Sequence, residues 1–281
     1  MALLYRQVAA DLSVLRQDST ARTYAQHVNQ LLARAHHIIY SGRKTNLLTV
    51  FRFLRDEYPA IFQRQIGFVL ASLGVSVAWG LLGAVITSAH PEFMRMFVSA
   101  KMIATMEQHH MWTESVVTIA PLATSAIMTN NLTVTFIVFA SGIVFGLGSF
   151  YYLAVNGMML GVVAAACHQY GMALPLWTFV APHGALELPS IVIAGAAGFR
   201  LGHAMLFPGA LRWRDSVARG GIEATRLVSG IIPLLIVAGC LEGFFSPSQA
   251  PVWLKFTVSG LLFSLLLMWL FRPVKAAAQG A

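Results

Sequence analysis

The sequence predicts an all-α, polytopic membrane helix bundle of about six transmembrane helices, with cytoplasmic N-terminal and outer-face interfacial amphipathic helices attached. Three observations predict it. Of 281 residues, 57% are hydrophobic and 11% charged, with a mean hydropathy of +0.68, whereas an ordinary soluble domain is about one-quarter charged. The apolar residues gather into runs near the ~20 residues that cross a hydrocarbon core about 30 Å thick. The Lys and Arg residues sit mainly between those runs, as membrane orientation requires. The net charge of +8 therefore reads as topology, and no nucleic-acid partner is expected. Cys167 and Cys240 both fall in apolar runs and offer neither a disulfide framework nor a metal-ligand spacing. The first residues carry Arg6, Asp11, Arg16 and Asp18 without a long apolar stretch and a small-residue cleavage site, so no cleaved signal is expected.

Residues 1–64 read as a cytoplasmic and interfacial helical segment. From Ser19 to Tyr40 a helical period places Tyr24, Val28, Leu31, Leu32, Ala35 and Ile39 on one face, the pattern of a helix with a partner. Ser41, Gly42 and Asn46 interrupt it. Leu47 to Gln63 then interleaves Phe51, Phe53, Leu54, Tyr58, Ile61 and Phe62 with Arg52 and Arg55, the composition of a helix lying among lipid headgroups.

Residues 65–273 form the membrane domain, with expected spans at Ile66–Ser88, Leu132–Leu153, Gly157–Tyr170, Leu186–Phe207, Leu227–Phe245 and Val252–Phe271. The third is short for a bilayer unless residues 173–180 extend it as a broken or re-entrant segment, which needs protein or water to cover the freed backbone. Between the first two spans, residues 91–129 are expected to form outer interfacial helices. Their Met94, Met96, Met102 and Met106 suit packing or lipid contact better than copper. Residues 274–281 complete the chain as a short cytoplasmic tail.

Orientation follows from the basic residues. Arg6, Arg16, Arg22, Arg34, Arg43, Lys44, Arg52, Arg55 and Arg64 precede the first span, and Arg212, Arg214, Arg219 and Arg226 follow the fourth. Six crossings then put both termini in the cytoplasm. Asn156–Gly157 fits a tight inner turn between the second and third spans. Small residues recur four apart at Gly142/Gly146, Gly157/Gly161, Ala194/Gly198/Gly202 and Gly239/Gly243, a spacing that lets helices approach closely in lipid.

The stretch Ala181–Gly202 carries the chemistry. His183 and Glu187, four residues apart, share a helix face if the helix has begun by then. The topology sets Glu242, Asn130 and Asn131 at a similar depth on the outer side. Pro189 is expected to free the carbonyl of Ala185 beside them. Arg200 lies thirteen residues beyond Glu187, about 20 Å along a helix, and is expected in the inner leaflet, snorkelling to the interface. Three readings of the outer cluster compete. A metal or hydrolytic site finds no HExxH, nucleophile-elbow or paired-carboxylate motif. A transport pathway would use the carboxylates for ion or proton coupling. A structural lock would hold Glu187 by His183 and by helix N-terminal amides. No cofactor, no metal and no catalytic residue is expected.

The series TNNLTVTFIVFASGIVFGLGSFYYLAVNGMMLG followed by APHGALELPSIVIAGAAGFRLG resembles the stage II sporulation protein M family of bacterial and archaeal integral membrane proteins. The resemblance rests on the Asn130–Asn131 pair, Asn156–Gly157, Gly161, the Pro182–Leu188 block and the glycines through Gly202. It implies a multi-pass protein of the cell (inner) membrane without catalytic activity of its own. In spore formers the family works as an anchor or scaffold with cell-wall-degrading partners; elsewhere it is associated with MoxR-type AAA+ ATPases and von Willebrand-like domain proteins. The sequence reading is thus a membrane scaffold for envelope or cell-wall remodelling, probed against the alternative of a transporter or channel component. Its partners would be the lipid bilayer, a second copy in a homo-oligomer (a dimer being favoured), and either a MoxR-type ATPase or cell-wall hydrolases.

Overall fold

The structure, a computed structural model, describes residues 7–8, 10–13, 24–32, 47–110 and 120–273. The remainder of the expected N-terminal helix, residues 111–119 of the expected outer interfacial segment, and the tail 274–281 lie outside the described residues. The chain divides into two compact units, Met1–Phe51 and Arg52–Ala281.

In the first unit, Leu12, Ala25 and Leu32 are buried together, with Val8 and Val28 beside them. Tyr24 and Leu31, which the sequence pattern put on the packed face, point outward.

Among the described residues of the second unit the regular elements are all helical. A wide turn, Phe53–Glu57, leads into α1 (Tyr58–Arg64) and α2 (Ile66–Ala89). A 3-10 turn, Pro91–Met96, and α3 (Ala100–Glu107) follow, then α4 (Ala120–Ala140) and α5 (Leu147–Gln169). Next come α6 (Ala173–Leu206), α7 (Trp213–Ser229) and α8 (Ile232–Cys240), whose last turn widens over Leu241–Phe245. The last is α9 (Val252–Leu270). Five stretches are long and apolar enough to cross a bilayer: α2, α5, α6, the α7–α8 run Trp213–Phe245, and α9. Thr129–Ile143 is a shorter apolar helix.

The all-α membrane bundle is therefore as expected, but two boundaries differ. Asn156 and Gly157 do not make a turn; both lie inside α5, where Asn156 Nδ2 donates back to the Tyr152 carbonyl at 2.8 Å. The chain reverses earlier, at Val144–Gly146, where Phe145 (φ 51°) and Gly146 (φ 82°) adopt left-handed backbone. Glycine takes that conformation without the Cβ clash other residues meet. An Asn-Gly pair is a turn signal in water, yet an unpaired backbone within the membrane is costly enough to keep it helical. The second correction concerns α6. It begins at Ala173 rather than Leu186 and runs through Pro182 and Pro189 for 34 residues, about 51 Å. The stretch 173–180 thus belongs to α6 and does not extend the preceding span.

α6 is the axis of the unit, packing against α2, α4, α5, α7, α8 and α9. Its small residues permit this. Gly198 and Gly202 lie where a Cβ would strike Ser149 and Gly146 respectively, and a Cβ on Gly142 would come 2.5 Å from the Gly198 Cα. α2 and α5 cross just as closely: a Cβ on Gly157 would strike the Ser76 carbonyl, and one on Gly161 the Gly80 carbonyl. α2 faces outward with Leu70, Leu73, Val77, Leu81 and Val85, and α9 with Leu261, Leu265 and Met268, as lipid-facing helices do.

At one end, α1 docks on the ends of α7 and α9. The Tyr58 hydroxyl donates to the Leu227 carbonyl at 3.0 Å, the ring stacks on Trp269 at 5.0 Å, and burial pushes the phenol pKa upward, keeping it a donor. At the other end, Met94, Val98 and Met106 bury against Met158, Val162, Cys167, Met172 and Leu176. The expected outer helical segment is interrupted there, because Ser99 turns extended and caps α3 by accepting from the Met102 amide. Met96 alone of the four methionines of this segment is strongly exposed, at 76%.

Candidate functional site

Four of the sequence-selected residues meet where α4, α6 and α8 converge. The extra residue accommodated in the wide turn Leu241–Phe245 alters the register at the end of α8, the kind of helical defect found often at functional sites. Glu242 sits in this turn. Its Oε2 accepts from Asn131 Nδ2 at 2.9 Å, and its Oε1 lies 3.9 Å from His183 Nε2. The other ring nitrogen, Nδ1, is 2.9 Å from Ser246 Oγ, and Phe179 closes over the ring edge-on at 5.6 Å. The His183 side chain is 7% exposed and that of Glu242 14%.

Glu187 completes the group one helical turn beyond His183. One ligand atom from each of His183, Glu187 and Glu242 lies within 4.8 Å of the other two. Glu187 Oε2 is shielded from solvent and has no hydrogen-bond partner among the described residues. A carboxylate oxygen without a donor is uncommon in a folded interior, where such groups are nearly always satisfied.

The structure brings Asn131, His183, Glu187 and Glu242 together but removes the support proposed for Glu187. With α6 starting at Ala173, Glu187 is fourteen residues into the helix and far from the free amides at the N-terminus of α6, so that helix's dipole does not hold it. Asn130 and Asn131 lie within α4, at the start of its apolar stretch Thr129–Ile143. Asn130 is exposed, with its Nδ2 3.5 Å from Asn131 Oδ1.

Two participants escaped sequence reading. Ser246 is buried and holds His183. Lys255, inside the last expected span, is 5% exposed and donates to the Ser246 and Ser248 carbonyls at 2.6 and 2.8 Å. It ties α9 to the segment that bears Ser246. A lysine inside an apolar stretch is a signal by itself, since such residues seek protein partners.

A second polar group lies at the other end of α6. Arg200 Nε meets Glu223 Oε2 at 2.8 Å, with side chains 17% and 30% exposed. Glu223 also accepts from Arg219 at 3.2 Å and from Gln65 at 3.2 Å. Arg200 thus pairs with α7 rather than merely reaching for the interface. The Arg219–Glu223 spacing of four on an amphipathic helix was the legible trace of this group. Asn156, Gly157, Gly161, Gly198 and Gly202 belong to neither polar group; the four glycines sit at helix crossings.

Between the two groups α6 is closely packed. Ile193, Ala194, Ala196 and Ala197 are at most 1% exposed, and a Cβ on Gly195 would come 2.5 Å from both Leu153 and Ser72.

Comparisons with known proteins place most of the membrane domain in one family. Residues 69–247 match the family described as Stage II sporulation protein M, a stretch holding both polar groups apart from Gln65 and Lys255. A protein of Methanocaldococcus jannaschii described as uncharacterized is 30% identical over 127 residues, covering 44% of this chain and 71% of its own. No solved structure matches.

Proposed function

This chain belongs to the stage II sporulation protein M family, and on that premise we propose that it is a non-catalytic membrane anchor, a scaffold within a complex that remodels the cell envelope or wall. The observation that supports the reading is the buried, close-packed layer Ile193–Ala197 between the two polar groups of α6. A transport pathway along this axis would need polar groups or water to follow one another across the membrane. Here the polar side chains tie helices together at each end, and the middle is close-packed.

In this reading the protein is a multi-pass component of a bacterial or archaeal cell membrane with both termini cytoplasmic. The short apolar helix Thr129–Ile143 supplies the sixth crossing, so moving the reversal from Asn156 to Gly146 leaves every basic segment on its expected side. The exposed basic positions Arg212, Arg214 and Arg219 then face a cytoplasmic partner such as a MoxR-type AAA+ ATPase. The methionine-lined cap faces cell-wall enzymes outside.

The test is in-cell crosslinking of tagged protein followed by mass spectrometry of what survives solubilisation. Recovery of an ATPase or of cell-wall hydrolases, weakened by charge reversal at Arg212 and Arg214 or by substitutions on the exposed face of α3, is the expected result. Recovery of this chain alone, together with solute flux in proteoliposomes, would support a transporter instead.

A further inference from the structure

We propose that His183, Glu187 and Glu242 form a binding site for a divalent first-row metal ion of the zinc type, buried between α6 and the end of α8. The inference goes beyond the anchoring role and does not depend on it. Four features carry it. The donor set is one imidazole and two carboxylates, a nitrogen–oxygen combination that suits such ions and leaves a further position for water. Two carboxylates cancel a dication's charge, which matters where there is little water to solvate either sign.

The third feature is the set of surrounding contacts. Metal-bound histidines nearly always have the second ring nitrogen fixed by an oxygen, and metal-bound carboxylates are themselves hydrogen-bonded. Ser246 Oγ lies 2.9 Å from His183 Nδ1, which directs Nε2 toward Glu242. Asn131 Nδ2 holds Glu242 Oε2 at 2.9 Å, leaving Oε1 on the side of His183. Fourth, Glu187 Oε2 is buried and unpartnered beside them, an acceptor without a donor. A cation supplies what that oxygen lacks.

The three ligand atoms lie within 4.8 Å of one another, while ligands about 2.1 Å from a tetrahedral ion are about 3.4 Å apart. An ion bound here would draw the two glutamate carboxylates inward toward His183 Nε2 to close that gap. In this site the ion joins α6 to α8, and through Asn131 to α4.

The experiment uses the full chain purified in detergent, stripped with a chelator and titrated with Zn2+, with Co2+ as a spectroscopic reporter. The expected result is one equivalent of metal per chain by elemental analysis, a visible Co2+ absorption band, and a melting temperature that rises on adding Zn2+. Glu187→Gln and Glu242→Gln keep the shape of the site, and each should weaken Zn2+ binding at least tenfold while the chain stays monodisperse. Should the variants fail to fold, the wild-type chain decides by itself: no Zn2+ uptake and no Co2+ band overturns the proposal. Binding left unchanged by both glutamine variants overturns it as well. Anchoring partners recovered from a chain that binds no metal would leave the scaffold standing and remove only the ion.

Discussion

Replacing Gly161 by leucine is expected to prevent the membrane domain from folding stably. At this point α2 and α5 cross backbone to backbone. A Cβ on Gly161 would strike the Gly80 carbonyl and lie 3.0 Å from the Ala84 amide, and one turn away a Cβ on Gly83 would be 2.6 Å from the Met158 carbonyl. These are main-chain atoms, so no rotamer change relieves the contact. The helices must part, and in lipid no hydrophobic drive pulls them together again. Overpacking of a fitted core costs about 3 kcal/mol at the upper end of its usual range, roughly two decades in the folding equilibrium. Thermal unfolding in detergent should show Gly161→Leu as aggregated or melting far below wild type, with Gly161→Ala intermediate. Gly74→Leu is the control, because nothing lies within 4 Å of its Cβ position, and it should accumulate normally.

Arg200→Leu should have the second largest effect. It strips Glu223 of its closest cation at 2.8 Å, leaving Gln65 at 3.2 Å and Arg219, whose own side chain is 71% exposed. Breaking a fully buried ion pair costs about 3–5 kcal/mol. Glu223 keeps 30% of its surface in contact with solvent, so about 1–3 kcal/mol is expected here. The double variant Arg200→Leu/Glu223→Leu should recover most of the loss, because an apolar pair leaves no charge unmatched. A double-mutant cycle on melting temperature reads the coupling directly. Equal loss in the single and double variants would mean that α6 and α7 are held by packing alone.

The bundle was legible because its physics is crude: long apolar runs, basic segments between them, and small residues every fourth position. The meeting of His183, Glu187, Glu242 and Asn131 was legible for the same reason, since topology alone set them at one depth. What the sequence hid are places where the membrane overrides signals learned from water. Asn156–Gly157 reads as a turn but is helical within α5, whereas the true reversal at Phe145–Gly146 is buried in the apolar run SGIVFGLG. The expected span opened only at Leu186, yet α6 begins at Ala173 and passes through Pro182 and Pro189, with Pro182 buried by its neighbours. The charge count that set the topology did not show that Lys255 and Glu223 each fasten one segment to another. The Gly230 position, where a Cβ would collide with the Tyr58 ring, shows a related limit. Nothing in the spacing from 58 to 230 announces that contact.

Closure of the bundle between its two polar groups is tested most directly by the reactivity of single cysteines. Ser72 and Ser190 are fully buried and donate to the Val192 and Leu186 carbonyls at 2.7 Å, and cysteine replaces serine there with little change of shape. In a background lacking Cys167 and Cys240, a membrane-impermeant maleimide would be applied to intact cells and to inverted vesicles, with Gln249→Cys and Arg212→Cys as exposed controls on opposite sides. A closed anchor predicts that the two controls label from opposite faces while Ser72→Cys and Ser190→Cys label from neither. Labelling at position 72 or 190 from either face would reveal water within the bundle and contradict the anchor in favour of a pathway.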